Sequence, residues 1–147
     1  MNPIMRLAKR IRFAVIGLAL AASGGAIAAD VVAVVSARSS VTALNANQVA
    51  DIFLGKTNRY PDGSPAVPID QAEGIAARDA FYAMVTGKSA AQMKAHWSKI
   101  IFTGRGQPPK QVANSLEMKK LIAGDLRAIG YIDRGLVDGS LRVLLPP

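Results

Sequence analysis

The residues best equipped for chemistry sit in one stretch, Val67-Pro-Ile-Asp-Gln-Ala-Glu-Gly-Ile-Ala-Ala-Arg-Asp-Ala-Phe-Tyr-Ala-Met-Val85. Val67 and Ile69 are β-branched and follow a Gly/Ser/Pro turn, which suits a short strand. Asp70 to Gly74 is a polar connection. From Ile75 the apolar residues Ile75, Ala76, Ala80, Phe81, Met84 and Val85 fall close to helical spacing. A strand that feeds a helix leaves the first backbone N–H groups without partners, and those groups together with the helix dipole favour an anion. In this reading Gln71, Gly74 and Ile75 form the turn that meets the anion, and Arg78, one turn into the helix, adds a cation. The competing reading is a helix capped by its own Asp70 or Glu73 with nothing bound.

Arg105 is the other candidate. It stands between Gly104 and Gly106 in Phe102-Thr-Gly-Arg-Gly-Gln-Pro-Pro109. Glycines let backbone amides converge, and a guanidinium fork matches an oxyanion; the alternative is an arginine solvated in a loop. His96 is the chain's one histidine and there is no cysteine, so a metal site lacks ligands. No G-x-S-x-G string presents a serine nucleophile. The sequence therefore argues against an enzyme and implies neither cofactor nor metal. Trp97, Phe81, Tyr82 and Phe102 qualify as a ligand wall, but the helical spacing of Phe81 and Trp97 favours core. Lys56, just after Gly55, suits a cation beside the last carbonyls of a helix.

These groups need elements to hold them. Val31-Val-Ala-Val-Val35 predicts a strand buried on both faces, as in a parallel or mixed sheet covered by helices. Asn45 with Gln48 three residues later predicts a helix start, with Val49, Ile52 and Phe53 as its buried stripe and Gly55 as its stop. Pro61-Asp-Gly63 is a turn. Ser89 caps a helix over Ala90–Ile101 that carries Met93, Trp97 and Ile100 or Ile101 on one face. Ser115 caps a helix to Ala123, ended by Gly124. Ala128 to Ile132 is a strand in which Gly130 lets another backbone approach, and Leu141 to Leu145 is a last strand after a turn-rich crossover. The alternation predicts an α/β layered sandwich, a mixed sheet flanked by helices.

Length and charge limit the function. With 147 residues the chain is one domain. Arg6, Lys9, Arg10 and Arg12 precede an apolar run from Phe13 to Ala22, and Ala26-Ile-Ala28 is a small-x-small site. This pattern is a secretory signal peptide over residues 1–28, cut after Ala28 or after Ala29, leaving a domain over 29–147. The run is too short to span a bilayer. Losing four cations and no acid lowers the formal net charge from +8 to +4. That excess suits mild attraction to anions, and no basic run with interleaved aromatics points to nucleic acid. Without cysteine there is no lipid tether, so the expected destination is the periplasm, with no membrane-embedded part after cleavage.

Three strings carry a family resemblance: Asp51-Ile-Phe-Leu-Gly-Lys56, Phe102-Thr-Gly-Arg-Gly106 and Ala128-Ile-Gly-Tyr-Ile132. Together they resemble the phosphate ABC transporter substrate-binding proteins, in the small single-lobe branch of periplasmic-binding-protein-like (PBP-like) domains, across Val31 to Leu145. The resemblance implies one lobe of a type II periplasmic-binding-protein-like fold. It also implies binding of phosphate or another small anion and work with an ABC permease. Where full-length members carry an Arg-Ser-Asp-Gly-Ser-Gly-Thr-like string, this chain has Asp70 to Ala76. Gly74 alone matches, and the upstream Arg and the hydroxyls are absent. Arg78 either replaces the lost cation or pairs with Glu73 or Asp79. Two functions follow as expectations: a periplasmic solute-binding protein, or a periplasmic interaction module that docks on a membrane sensor or transporter after losing its ligand site.

Overall fold

A computed structural model of the chain describes residues 29–145; the expected signal peptide, residues 1–28, lies outside them. The elements run β1 (Val31–Ser36), α1 (Ala46–Phe53), β2 (Val67–Gln71), α2 (Ala76–Thr86), α3 (Ala90–Phe102), β3 (Lys110–Val112), α4 (Ser115–Gly124), β4 (Ala128–Asp133), a 3-10 turn (Arg134–Leu136) and β5 (Leu141–Leu145). Five strands form one mixed sheet in the order β3-β2-β4-β1-β5. β2 runs parallel to β3 and β4, while β1 runs antiparallel to β4 and β5.

β1 is buried along its whole length because its side chains alternate between two cores. Val31, Ala33 and Val35 face the helices α1, α2 and α3, sharing that core with Phe53, Phe81, Tyr82, Trp97, Ile129 and Tyr131. Val32 and Val34 face α4, beside Met118, Ile122 and Ile132. The register sets Ala33 opposite Tyr131 and Val34 opposite Gly130, so the two strands send matching residues to each face. Helices thus cover both faces, and the predicted layered α/β fold is the one observed. Among the described residues no helix is long and apolar enough to cross a membrane.

The caps explain where the helices start. Asn45 and Gln48 form a reciprocal capping box on α1, and Ser89 and Gln92 form another on α3. α4 is capped by Asn114, one residue before the predicted Ser115. Ser115 instead turns its hydroxyl inward, accepting from Gln71 Nε2 at 3.0 Å. β3 was not expected: its three residues are a strand because they pair with β2, from Ile69–Lys110 to Gln71–Val112. Gly130 does serve close packing, but of side chains rather than backbone. A Cβ there would collide with Met118 Sδ and sit 3.0 Å from Ile122 Cδ1 of α4. Lys56 pairs with the Asp51 carboxylate at 3.5 Å instead of reaching the helix carbonyls.

Candidate anion site and a second groove

β2 runs two residues further than its β-branched part, and that carries Asp70 and Gln71 into the interior, 1% and 0% exposed. Asp70 is the hub of a buried network. It accepts from Tyr131 Oη at 2.5 Å, Tyr82 Oη at 2.7 Å, the Gln71 backbone N–H at 2.8 Å and Arg78 Nε at 3.3 Å. A carboxylate buried in this way needs such donors, because isolated charge in a low-dielectric interior is costly. Burial, and then the charge of Asp70, push the Tyr82 and Tyr131 hydroxyls far above the ordinary phenol range, so both remain donors. Burial works against the Arg78 cation, but Asp70 outweighs it and raises the guanidinium above its ordinary value. Arg78 also lies over the Tyr82 ring, 5.2 Å from its centroid. Phe81 stacks on Tyr131 with centroids 4.0 Å apart, closing the network off from the core side.

Gln71 is held by its amide nitrogen, while its Oε1 is buried with no partner among the described residues. Its Nε2 donates to Ser115 Oγ and to the Tyr131 carbonyl, both at 3.0 Å. Gln71, expected beside an anion, therefore faces inward, and Arg78, 4% exposed, turns its Nε to Asp70 while still bordering the turn at the start of α2. Gly74 and Ile75 are placed as expected, at the entrance to α2. Gly74 is exposed with φ +86°, the left-handed turn that glycine permits. Ile75 is the extended residue before the first turn, at φ −77° and ψ 127°. Neither Asp70 nor Glu73 caps α2, which has no side-chain cap at all. The N–H groups of Ala76 and Ala77 have no acceptor among the described residues. A shallow depression of about 190 Å³ opens here, bordered by Glu73, Gly74, Arg78, Asp79, Ala90 and Lys94. Two carboxylates thus offset two cations, and the free amides are what favours an anion.

The structure does not bring Arg105 to this turn. Arg105 borders a groove of about 400 Å³ with Leu54, Lys56, His96, Trp97 and Lys99. A second groove of about 600 Å³ adjoins it, sharing Gly55, Lys56, Trp97, Gly106 and Gln107 and continuing along Pro108, Pro109 and Lys110 to Val67 and Pro68. Val67 starts β2, so this groove lies at the opposite end of that strand from Gly74. His96 is tied down through a 2.9 Å contact between Nε2 and the Leu54 carbonyl oxygen. Trp97 is 7% exposed and packs against Gly55, as core rather than as an open ligand wall. Among the described residues no three His, Cys, Asp or Glu side chains gather to hold a metal.

Sequence reasoning missed the Asp70 network and the Trp97 groove. Asp70, Arg78 and Tyr82 lie within 12 residues of one another, so helical geometry gives part of the first. Tyr131 is 61 residues from Asp70, and no local pattern joins them.

No family model matches the chain, and no curated protein sequence matches it. Solved structures do. A protein from Clostridium perfringens, assigned as a phosphate ABC transporter substrate-binding protein and solved with bound phosphate, aligns with TM-score 0.63 and 23% identity over 79% of this chain. An ABC-type phosphate transport receptor from Vibrio cholerae aligns with TM-score 0.61 and 19% identity over 79% of the chain. PstS from Borrelia burgdorferi gives 0.61 and 13% over 81%. The chain spans 44%, 45% and 49% of those proteins. The fold is that of a single periplasmic-binding-protein-like lobe, shared with part of each of these proteins.

Proposed function

We propose that this chain is a secreted, non-catalytic binding protein of the periplasm, a one-lobe solute-binding domain that takes phosphate or a similar oxyanion at the first turn of α2. The observation that carries the reading is the uncapped start of α2. The other three α-helices are capped by Asn45, Ser89 and Asn114, whereas the Ala76 and Ala77 amides are left to meet a ligand. The shared fold and the phosphate bound in the C. perfringens protein support the same class of ligand. A single lobe offers one wall and cannot close over an ion, so binding is weak unless another chain supplies the second wall. The pattern of residues 1–28 supports export, and an ABC permease is the partner class this function requires.

The test is a thermal-shift titration with inorganic phosphate, since a ligand that binds only the native state raises the midpoint by mass action. Ala76→Pro is the informative variant. Proline is tolerated at the first helical position, and extended Ile75 already has the conformation favoured before proline. The variant removes one amide without breaking the helix. The expected result is a phosphate-dependent rise that Ala76→Pro weakens, with the ligand-free midpoint unchanged. No rise with phosphate, sulfate or an organic phosphate overturns the reading. A second reading, a module that docks on a membrane sensor or transporter, is favoured by one observation: Gln71 is fully buried and bound to Ser115 and Tyr131, and Arg78 turns its Nε to Asp70.

A further inference from the structure

The two adjoining grooves around Trp97 belong to no part of the α2 site, and their lining has one sign of charge. Lys56, Lys99, Arg105 and Lys110 border them, all four exposed, and no carboxylate does. Asp51, which pairs with Lys56 at 3.5 Å, lies outside both grooves, and so exposed a pair holds Lys56 only weakly. The sequence reinforces the pattern. From Ala80 to Leu116 there are five cations (Lys88, Lys94, Lys99, Arg105, Lys110) and no acid. Lys88 precedes α3, Lys94 and Lys99 lie on it, Arg105 is in the loop that follows and Lys110 starts β3.

The surface between these cations is concave and largely apolar. Trp97, Ile52, Val67, Pro68, Pro108 and Pro109 form its walls, and Gly55 and Gly106 leave backbone open along it. The indole N–H of Trp97, one of the five residues common to both grooves, is buried without an acceptor among the described residues. A buried donor without a partner is uncommon.

We propose that this Trp97 groove is a docking site for an extended, acidic peptide segment of a partner protein. Length, apolar walls and cationic rims match a strand-like chain whose side chains alternate, one set entering the groove and the other, carboxylates, meeting Lys99, Arg105 and Lys110. Single-stranded nucleic acid fits poorly. It needs open aromatic faces for stacking, and Trp97 is 7% exposed. A lipid surface is flat and leaves a concave groove unfilled. The proposal stands independently of oxyanion binding, because the two sites lie at opposite ends of β2.

Trp97 is the chain's only tryptophan, so its fluorescence reports the groove directly. The experiment titrates the chain from Ala29 to Pro147, which contains every described element, with a peptide of alternating glutamate and leucine. A lysine–leucine peptide and phosphatidylglycerol vesicles serve as comparisons. A saturable change in Trp97 emission is expected with the acidic peptide. Its Kd should rise about tenfold or more in the double variant Lys99→Glu/Arg105→Glu and rise with added salt. Both substitutions are on exposed side chains, and far-UV circular dichroism checks that the fold is kept. Ala76→Pro should bind the peptide as the parent does, which separates this site from the phosphate site. The proposal is overturned by no response to the acidic peptide at low salt, by equal binding of the lysine–leucine peptide, or by a double variant that binds unchanged. A response to the vesicles alone also overturns it, since that assigns the basic surface to membranes.

Discussion

Asp70 is a buried anion with four donors around it, and its replacement separates the roles of charge and hydrogen bond. Tyr131→Phe deletes one charge-assisted hydrogen bond while keeping the stacked ring on Phe81, and should cost about 1.5–3 kcal/mol in urea unfolding. Asp70→Ala goes further, because it leaves the Arg78 cation buried and unpaired; a loss of about 3–5 kcal/mol is expected. If the two variants prove equally stable, Arg78 is not held by Asp70. The same network shows how far residue-level reading reaches. Arg78 and Tyr82 are one helical turn apart and could be read as a pair facing the turn before them. Sequence reading placed Asp70 in a polar turn near an anion, since nothing local indicates that β2 continues through Gln71. Pairing with β3 and the hydroxyl of distant Tyr131 decide that.

At the scale of elements, start signals of helices were legible and close packing was not. Asn45 with Gln48 and Ser89 with Gln92 are short-range motifs whose chemistry is complete within four residues. Ser89→Ala should therefore cost about 1 kcal/mol, measured as a shift in the urea midpoint without change in slope. Asn114 and Ser115 are both good capping residues, and only the tertiary demand of Gln71 for a hydroxyl assigns the cap to Asn114. β3 is three residues long and owes its conformation to β2, so periodicity had nothing to detect. Gly130 was legible as a close-approach position but not its partner. Gly130→Ala should destabilise by about 1–3 kcal/mol through overpacking on α4, and adding Met118→Ala should recover less than a simple sum of the two losses predicts.

For the whole molecule, the three tyrosines set the alkaline limit. Tyr60, Tyr82 and Tyr131 are all buried, and burial first, then nearby carboxylates, raise each hydroxyl above its ordinary value of 10.0. An unfolded chain loses these protons near pH 10, while the folded chain holds them. Their contribution is complete below about pH 10 and is lost as pH rises beyond it. The expected result is a urea midpoint that falls steeply on the alkaline side, with tyrosinate absorbance appearing only as the chain unfolds. Tyr82→Phe should make that fall shallower. The layered α/β class and the burial of β1 on both faces were legible, because an unbroken β-branched run has few other uses. The burial of Gln71 and the bond from Arg78 to Asp70 were not, because free amides at a helix start and a basic residue one turn later read alike whether the side chain faces outward or inward.

The order of strands in the sheet differs from their order of synthesis. β1 is the first described strand to be made, and its two neighbours, β4 and β5, are the last; Val31 must wait for Asp133 and Ser36 for Leu141. Until those arrive the most apolar strand has no edge to join, and contacts this distant in sequence form slowly. A nascent chain of this design stays open for nearly the whole of its translation. That is the state a polypeptide needs if it is to be threaded through a narrow channel before it folds.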